Sequence, residues 1–282
     1  MKKICLSLVC TGILLLASQE TQAQVILPAA SSTTKIEQGI GIKTIRLTYQ
    51  RPNRNGRTIF GELVPYGEVW RTGANNCTRI SFEEAVNIAG HEVPAGTYGL
   101  FSIPRKGEWT IILSKNADQW GAYSYKESED ILRFQASSRQ LTEPVETLTI
   151  AFEDVKPSST QVTLSWEHTS VSFPITVDQT EEIQTNISKA MKGEKKPYFA
   201  AAQYYYNNGL DINKAASWIK TADEGNTTAP HIKYWKARIL LKASDKAGAI
   251  KAATEGVAMA AAAGNNEYVK LNKQVINDAK TQ

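Results

Sequence analysis

The stretch QVTLSWEHTSVSFPITVDQTEEIQTNISKAM, residues 161–191, contains the point at which the hydrophobic period of the chain changes. Residues 161–166 and 171–177 are short runs rich in the β-branched and aromatic side chains that favour strands. After Asp178 the apolar residues recur at the spacing of a helix, at Ile183, Ile187, Ala190 and Met191. The stretch therefore predicts a β domain before Asp178 and a helical region after it.

Short strand-like runs fill the chain between Lys43 and Val177. Turn signals rich in Gly, Pro and Ser separate several of them, and no helical pattern lies between them. About nine short strands predict a mainly β domain, an antiparallel β-sandwich or barrel. Pro174 in the last run favours an edge position for that strand. The runs are residues 45–49, 79–82, 85–88, 98–103, 109–113, 131–134, 147–152, 161–166 and 171–177.

The region after Met191 begins with the polar segment KGEKKP, residues 192–197, which predicts a linker. Beyond it the chain is rich in alanine, and breaks rich in Gly, Asn and Ser divide it into about five helices. Two of these helices share a repeat of 34 residues, with Ala215, Ile219 and Ala222 in one copy and Ala249, Ala253 and Gly256 in the other. This period resembles that of tetratricopeptide helical hairpins.

The N-terminus has the features of a secretory signal peptide. Lys2 and Lys3 precede an apolar run over residues 4–17, and Thr-Gln-Ala at residues 21–23 supplies small residues at a cleavage site. The alternative is an uncleaved anchor, but the run is short for a membrane span. No later segment is apolar enough to span a membrane. We therefore expect a periplasmic or secreted protein.

These patterns divide the chain into four parts. We expect a signal peptide at residues 1–23, a β-sandwich domain at residues 24–178, a helix and linker at residues 179–197, and a helical-hairpin repeat domain at residues 198–282. Hydrophobic periodicity sets the boundary between the second and third parts, and turn signals set the boundary between the third and fourth.

Cysteine and charge counts exclude two classes of protein. After cleavage the chain keeps a single cysteine, Cys77, so an internal disulfide is excluded. Residues 24–178 carry 15 Lys and Arg against 17 Asp and Glu, and residues 179–282 carry 15 against 10. Neither balance is typical of a nucleic-acid-binding protein. Cys77 is either a nucleophile or, as we favour, a small buried residue at the start of a strand.

The stretch RPNRNGRTIFGELVPYGEVWRTGANN, residues 51–76, is the candidate site, and we call it the arginine loop. Between Lys43 and Arg79 there are seven basic residues and two acidic ones. Guanidinium groups bind carboxylate or phosphate, aromatic rings stack on sugars, and amides hydrogen bond both ways. An alternative is that the arginines only hold the loop's own carbonyls and nearby carboxylates. The candidate ligand-binding residues are Arg51, Arg57, Tyr66, Trp70, Arg71 and Asn75.

Several motifs in and after this loop resemble the family known as domain of unknown function 2911, found mainly in secreted proteins of Bacteroidetes. They are Arg-Pro followed by Gly-Arg-x-Ile-Phe-Gly, Leu-Val-Pro-Tyr-Gly-x-Val-Trp-Arg-Thr-Gly-Ala-Asn, Val-Pro-Ala-Gly-Thr-Tyr-Gly-Leu-Phe-x-Ile-Pro, and Gln-Trp-Gly-Ala-Tyr. The resemblance covers residues 35–178 and implies location and fold more than activity. Members often have an acidic residue where this chain has Asn76. A carboxylate that could bind a metal or act as a base at that position is therefore missing from this chain.

Other chemistry has little support in the sequence. The three histidines, His91, His168 and His231, lack HxH, HExxH or CxxC partners, and we interpret them as surface residues. No nucleophile elbow, phosphate-binding loop or dinucleotide fingerprint occurs. We therefore expect no metal and no cofactor. Glu68 and Asp118 are a candidate carboxylate pair of the glycosidase type, and the sequence does not fix their separation.

Three functions remain open. The first is a binding module that holds a small anionic or glycan ligand in the arginine loop and a protein partner on the helical tail. The second is a hydrolase or lyase that uses Arg71, Asn75 and a carboxylate on an envelope or dietary substrate. The third is a purely structural envelope protein. We favour the first, in which the chain is not an enzyme.

The signal peptide gives the first testable prediction. Exported protein is expected to begin at Gln24, because the basic, apolar and small-residue segments occur in the order that signal peptidase reads. N-terminal sequencing of envelope or secreted material checks this. An intact Met1 on exported protein would contradict it.

Overall fold

The computed structural model describes residues 27–226 and 228–281, so the predicted signal peptide lies outside the described residues. The chain divides after Val177 into two units, here the β unit and the helical unit. In the described part, the β unit has nine strands: β1 (Ser32–Ile40), β2 (Lys43–Arg51), β3 (Thr78–Phe82), β4 (Val86–Ile88), β5 (His91–Val93), β6 (Gly96–Ile103), β7 (Glu108–Ser114), β8 (Asp130–Lys156) and β9 (Ser159–Thr176).

All neighbouring strands pair antiparallel, in the order β1-β2-β3-β6-β7-β8-β9-β4-β5. The long strand β8 joins two halves of this sheet, since it pairs with β7 up to Ser137 and with β9 from Ser138 onward. Side chains from both halves share one core. Within it the Tyr49 hydroxyl of β2 donates to the Ile150 carbonyl of β8 at 3.1 Å and accepts from the Ile150 amide at 2.9 Å.

This architecture confirms the predicted mainly β fold followed by helices. Two strands, β1 and β5, were missed, and His91, which we interpreted as a surface residue, is exposed at the start of β5. The predicted short runs at residues 131–134 and 147–152 are parts of the single strand β8, and those at 161–166 and 171–177 fall largely within β9. Residues 137–147 of β8 include no buried side chain, so that stretch had no hydrophobic alternation to reveal it.

The prediction that Pro174 marks an edge strand is wrong. Strand β9 lies between β8 and β4 in the sheet. The proline falls between the residues of β9 that pair with β8, which end at Val171, and those that pair with β4, which begin at Ile175. Proline has no backbone N–H group to donate. It is tolerated at position 174 because Pro174 belongs to neither set of paired residues.

The helical unit follows directly. No helix among the described residues is both long and apolar enough to cross a membrane. Five helices follow the segment at residues 192–197 in the described chain, as the breaks in the sequence predicted. The helices of the unit are α1 (Thr180–Ala190), α2 (Tyr198–Asn207), α3 (Ile212–Glu224), α4 (Pro230–Lys242), α5 (Lys246–Ala262) and α6 (Asn266–Thr281).

The residues of the 34-residue repeat lie on buried faces of α3 and α5. Ala215, Ile219, Ala249 and Ala253 have no exposed surface. At Gly256 the helices α5 and α6 approach closely, because a Cβ atom there would lie 2.5 Å from the Asn272 side chain. Small residues thus permit close helix packing, while the likeness to tetratricopeptide repeats stays a prediction.

A buried ion cluster joins α3, α4 and α5. The Asp223 side chain is 6% exposed, and its carboxylate lies 2.9 Å from the Lys233 ammonium and 2.6 Å from that of Lys236. Lys233 also pairs with Glu255 at 2.7 Å. Burial opposes ionisation of Asp223, but the hydrogen bonds from Lys236 and Lys233 outweigh it and lower the pKa of the carboxyl.

We predict that Asp223→Asn destabilises the helical unit by about 3–5 kcal/mol, because two largely buried lysines lose their shared counter-charge. Since the folded pKa of Asp223 is lowered, its contribution is complete above the unfolded value of about 3.9 and is lost as the pH falls through the folded value. Wild-type protein is therefore expected to lose helical stability in acid more steeply than the variant.

Chemical denaturation followed by circular dichroism at 222 nm, at neutral and acidic pH, measures both effects. Asp154→Asn is the control, because Asp154 belongs to an exposed pair with Lys156 whose contribution is about 0–1 kcal/mol. Equal stability of wild type and Asp223→Asn at neutral pH would contradict the prediction.

Candidate functional site

The arginine loop is anchored by an aromatic cluster in the core of the β unit. Phe60 and Trp70 from the loop meet Trp109 of β7 and Trp166 of β9. The ring of Phe60 lies 4.8 Å from that of Trp109, and Trp70 stacks on Trp166 at 6.0 Å. Trp70 is only 7% exposed. Large aromatic contacts of this kind fix the path of a loop that has little regular secondary structure.

Backbone hydrogen bonds continue the sheet into the loop. Trp70 and Ser102 exchange two bonds, at 2.8 and 2.9 Å, beyond the point where β3 stops pairing with β6. The Gly67 amide donates to the Pro104 carbonyl at 2.9 Å. The segment before Trp70 is thus held against the end of β6.

A cavity of about 370 Å³ opens between the arginine loop and Trp166. Of the described residues that line it, two are arginines and none is acidic. We call it the Arg71 cavity. The lining residues are Ala30, Ser31, Pro52, Asn53, Asn55, Arg57, Leu63, Val64, Trp70, Arg71, Gly73, Ala74 and Trp166.

Arg71 differs from Arg57, the other arginine in the lining of this cavity, in the partners of its guanidinium. Its side chain is half-buried, and its Nε atom is buried with no hydrogen-bond partner among the described residues. Burial lowers the pKa of the guanidinium, against an opposing influence of Tyr123. A cation in such a position is stabilised by an anion.

Arg57 has a different role at the same cavity. Its Nε donates to the Arg54 carbonyl at 2.9 Å and a terminal nitrogen donates to the Asn53 carbonyl at 2.6 Å. Arg54 in turn donates to the Arg57 carbonyl at 3.1 Å. These two arginines hold the loop's own carbonyls, which is the structural alternative that the sequence left open.

The structure brings together Arg57, Trp70 and Arg71 but not the other three candidates. Arg51 donates to the Leu148 carbonyl at 2.9 Å and the Thr149 hydroxyl at 2.8 Å, and it ties β2 to β8. Tyr66 lines a separate cavity with Phe60 and Trp109.

Asn75 does not line the Arg71 cavity. Its backbone is left-handed, with φ of 55°, and its carbonyl accepts the Gly121 amide at 2.8 Å. Asn75 therefore acts through its backbone, at the base of the loop that contains Gly121.

Sequence reasoning missed several lining residues. Asn53 and Asn55 lie in the arginine loop and share its polar composition, so they were within reach of a sequence argument. Ala30, Ser31 and Trp166 were not, because they come from distant parts of the chain and reach the cavity only through the fold.

In the described part of the chain, the other candidate reactive groups, Cys77, Glu68 and Asp118, do not line the Arg71 cavity. Cys77 is 2% exposed and donates to the Ala117 carbonyl, and burial raises the pKa of its thiol. These observations support the interpretation of Cys77 as a small buried residue. Asp118 pairs with Arg79 at 2.9 Å, and neither Asp118 nor Glu68 lines the Arg71 cavity. In the described chain no three His, Cys, Asp or Glu side chains converge on a metal-binding position.

We predict that Trp70→Ala destabilises the β unit by about 3–5 kcal/mol, because it removes the ring that joins the loop to the core. Tyr66→Ala is the control, since Tyr66 is 40% exposed and surface substitutions change stability by about 0.5 kcal/mol or less. Urea denaturation followed by near-ultraviolet circular dichroism separates the two. Equal midpoints for both variants would show that the aromatic cluster does not anchor the loop.

Comparison with known proteins addresses the β unit. A family model described as protein of unknown function (DUF2911) matches residues 31–175, slightly more than half of the chain. Searches of curated proteins and of solved structures gave no match. The match spans the nine strands and the arginine loop almost completely. The chain therefore belongs to the family of domain of unknown function 2911.

Proposed function

We propose that the protein is an exported binding module that holds a small anionic or glycan ligand in the Arg71 cavity. One observation carries the proposal, namely a half-buried guanidinium with an unpartnered Nε at a cavity whose described lining has no acidic residue. Export is proposed from residues 1–23, and a periplasmic or envelope location in a Bacteroidetes-type cell accords with it.

The charge of the cavity supports an anion over a neutral or cationic ligand. Arg57 and Arg71 both line it, and the nearest ion pair of the loop, Arg54 with Glu167 at 3.9 Å, does not include either of them. Removing a cation from water without a counter-ion is unfavourable. A bound carboxylate or phosphate would offset that cost and would accept charge-assisted hydrogen bonds from the guanidinium.

The helical unit is proposed as the docking surface for a protein partner, on the sequence likeness to helical-hairpin repeats. The hydrolase or lyase alternative has no specific observation in its favour, because Asn75, Glu68 and Asp118 do not line the Arg71 cavity. A purely structural envelope role would not explain why the buried Nε of Arg71 has no hydrogen-bond partner among the described residues.

The proposal predicts opposite effects of one substitution on binding and on stability. Arg71→Met keeps an unbranched apolar stem and removes the charged guanidinium. Loss of a charge-assisted contact of about 1.5–3 kcal/mol is expected to weaken anion binding roughly ten- to a hundredfold. The unliganded variant is expected to melt at or above the temperature of wild type, because the uncompensated buried charge is gone.

Thermal melts and isothermal titration with inorganic phosphate, acetate and succinate measure both quantities. Arg139→Met is the matched control, since Arg139 lies on β8 at the separate cavity that contains Tyr66. Binding is also expected to weaken at high salt. A sharp drop in the melting temperature of Arg71→Met would show that Arg71 is a structural arginine, and unchanged anion binding would refute the proposal.

A further inference from the structure

Two exposed aromatic side chains lie on a loop that is attached to the base of the arginine loop. Trp120 is 63% exposed and Tyr123 is 87% exposed. From their position we infer that the anionic ligand of the Arg71 cavity is an acidic saccharide, with its carboxylate at Arg71 and a sugar ring against Trp120 and Tyr123. This inference rests on the proposed function and names the ligand class of the same site.

Side-chain hydrogen bonds of Gln119 hold the loop that carries these rings, residues 119–123. Gln119 is 7% exposed. Its Nε2 donates to the Asn116 carbonyl at 3.1 Å, and its Oε1 accepts from the Ser124 hydroxyl at 3.2 Å. The loop is therefore held at both ends, while the two aromatic rings between them remain in solvent.

Backbone bonds join this aromatic loop to the segment that follows Arg71. The Gly121 amide donates to the Asn75 carbonyl at 2.8 Å, and the Cys77 amide donates to the Gln119 carbonyl at 3.0 Å. Asn76 and Trp120 form an antiparallel bridge. Because Asn75 and Asn76 are four and five residues after Arg71 in the chain, these bonds hold the aromatic loop against the segment that directly follows Arg71.

The orientation of Tyr123 requires glycine at position 121. Gly121 has φ of 66°, and a Cβ atom there would lie 2.6 Å from the Tyr123 ring. The ring therefore lies directly on the glycine. An exposed side chain held in this way loses little conformational freedom when a ligand binds, which favours affinity.

Tyr123 also interacts electrostatically with Arg71, since its influence raises the pKa of the Arg71 guanidinium against the larger lowering effect of burial.

An acidic saccharide has the two features that this surface matches. Its carboxylate suits a bidentate guanidinium. The C–H face of its ring suits a flat aromatic side chain, for which area burial and ring geometry both contribute. A simple carboxylate would use only Arg71, and a neutral sugar would use only the rings.

The test compares three probes by intrinsic tryptophan fluorescence and isothermal titration. They are trigalacturonate, the neutral trisaccharide maltotriose, and citrate, which has three carboxylates and no sugar ring. We expect trigalacturonate to bind more tightly than either of the others. Trp120→Ala and Tyr123→Ala are each expected to weaken its binding about three- to tenfold and to leave citrate binding unchanged.

Tyr66→Ala is the matched control, because it removes an exposed aromatic ring at a different cavity. It should leave all three affinities unchanged. Melting curves are recorded for every variant, and both target rings are exposed, so their truncation should not unfold the protein.

The outcomes separate this inference from the proposed function. Equal affinities for citrate and trigalacturonate, with no effect of Trp120→Ala or Tyr123→Ala, would overturn the saccharide and leave the anion site standing. Tight binding of adenosine monophosphate in place of trigalacturonate would also overturn it, in favour of a nucleotide. If Arg71→Met binds both citrate and trigalacturonate as tightly as wild type does, the proposed function and the inference are overturned together.

Discussion

The contact of Phe60 and Trp70 with Trp109 and Trp166 is the interaction on which the rest of the β unit depends. Each of these aromatic side chains offers a large apolar area, and their rings meet at 4.8 to 6.2 Å. The cluster joins a loop to two strands that lie on different halves of the sheet. Without it, a Gly- and Asn-rich segment would have too little buried surface to offset the entropy of its ordering.

Once the loop is fixed in this way, its arginines acquire different roles. Arg51 is directed to the carbonyl of Leu148, and Arg54 and Arg57 donate to each other's carbonyls. Arg71 directly follows the anchored Trp70, and its buried Nε reaches no acceptor in the described chain. The same anchor that stabilises the loop thus also sets the surroundings of the Arg71 guanidinium.

The core of the helical unit is packed differently from that of the β unit. Its core positions are mostly alanine, with Ala215, Ala249 and Ala253 fully buried, so close approach of helices replaces the burial of large side chains. The Asp223 carboxylate of α3 also pairs with two lysines of α4, one of which pairs with Glu255 of α5, so paired charges link these three helices. The β unit is stabilised by the buried surface of its aromatic side chains. The helical unit is stabilised by the close packing of its helices and by paired charges.

The sequence by itself determined the change from β to helical structure at Asp178, most of the strands, the breaks between the helices and the irregular character of the arginine loop. These features follow from local periodicity and turn chemistry. It could not show that β8 runs unbroken through residues 137–147, because no side chain there is buried. Nor could it separate Arg71 from Arg57, which have the same chemistry in the same loop. Only the tertiary structure decided that, because Arg57 reaches carbonyls of its own loop, whereas Arg71 follows Trp70, whose ring is held in the folded core against Trp166 about a hundred positions away.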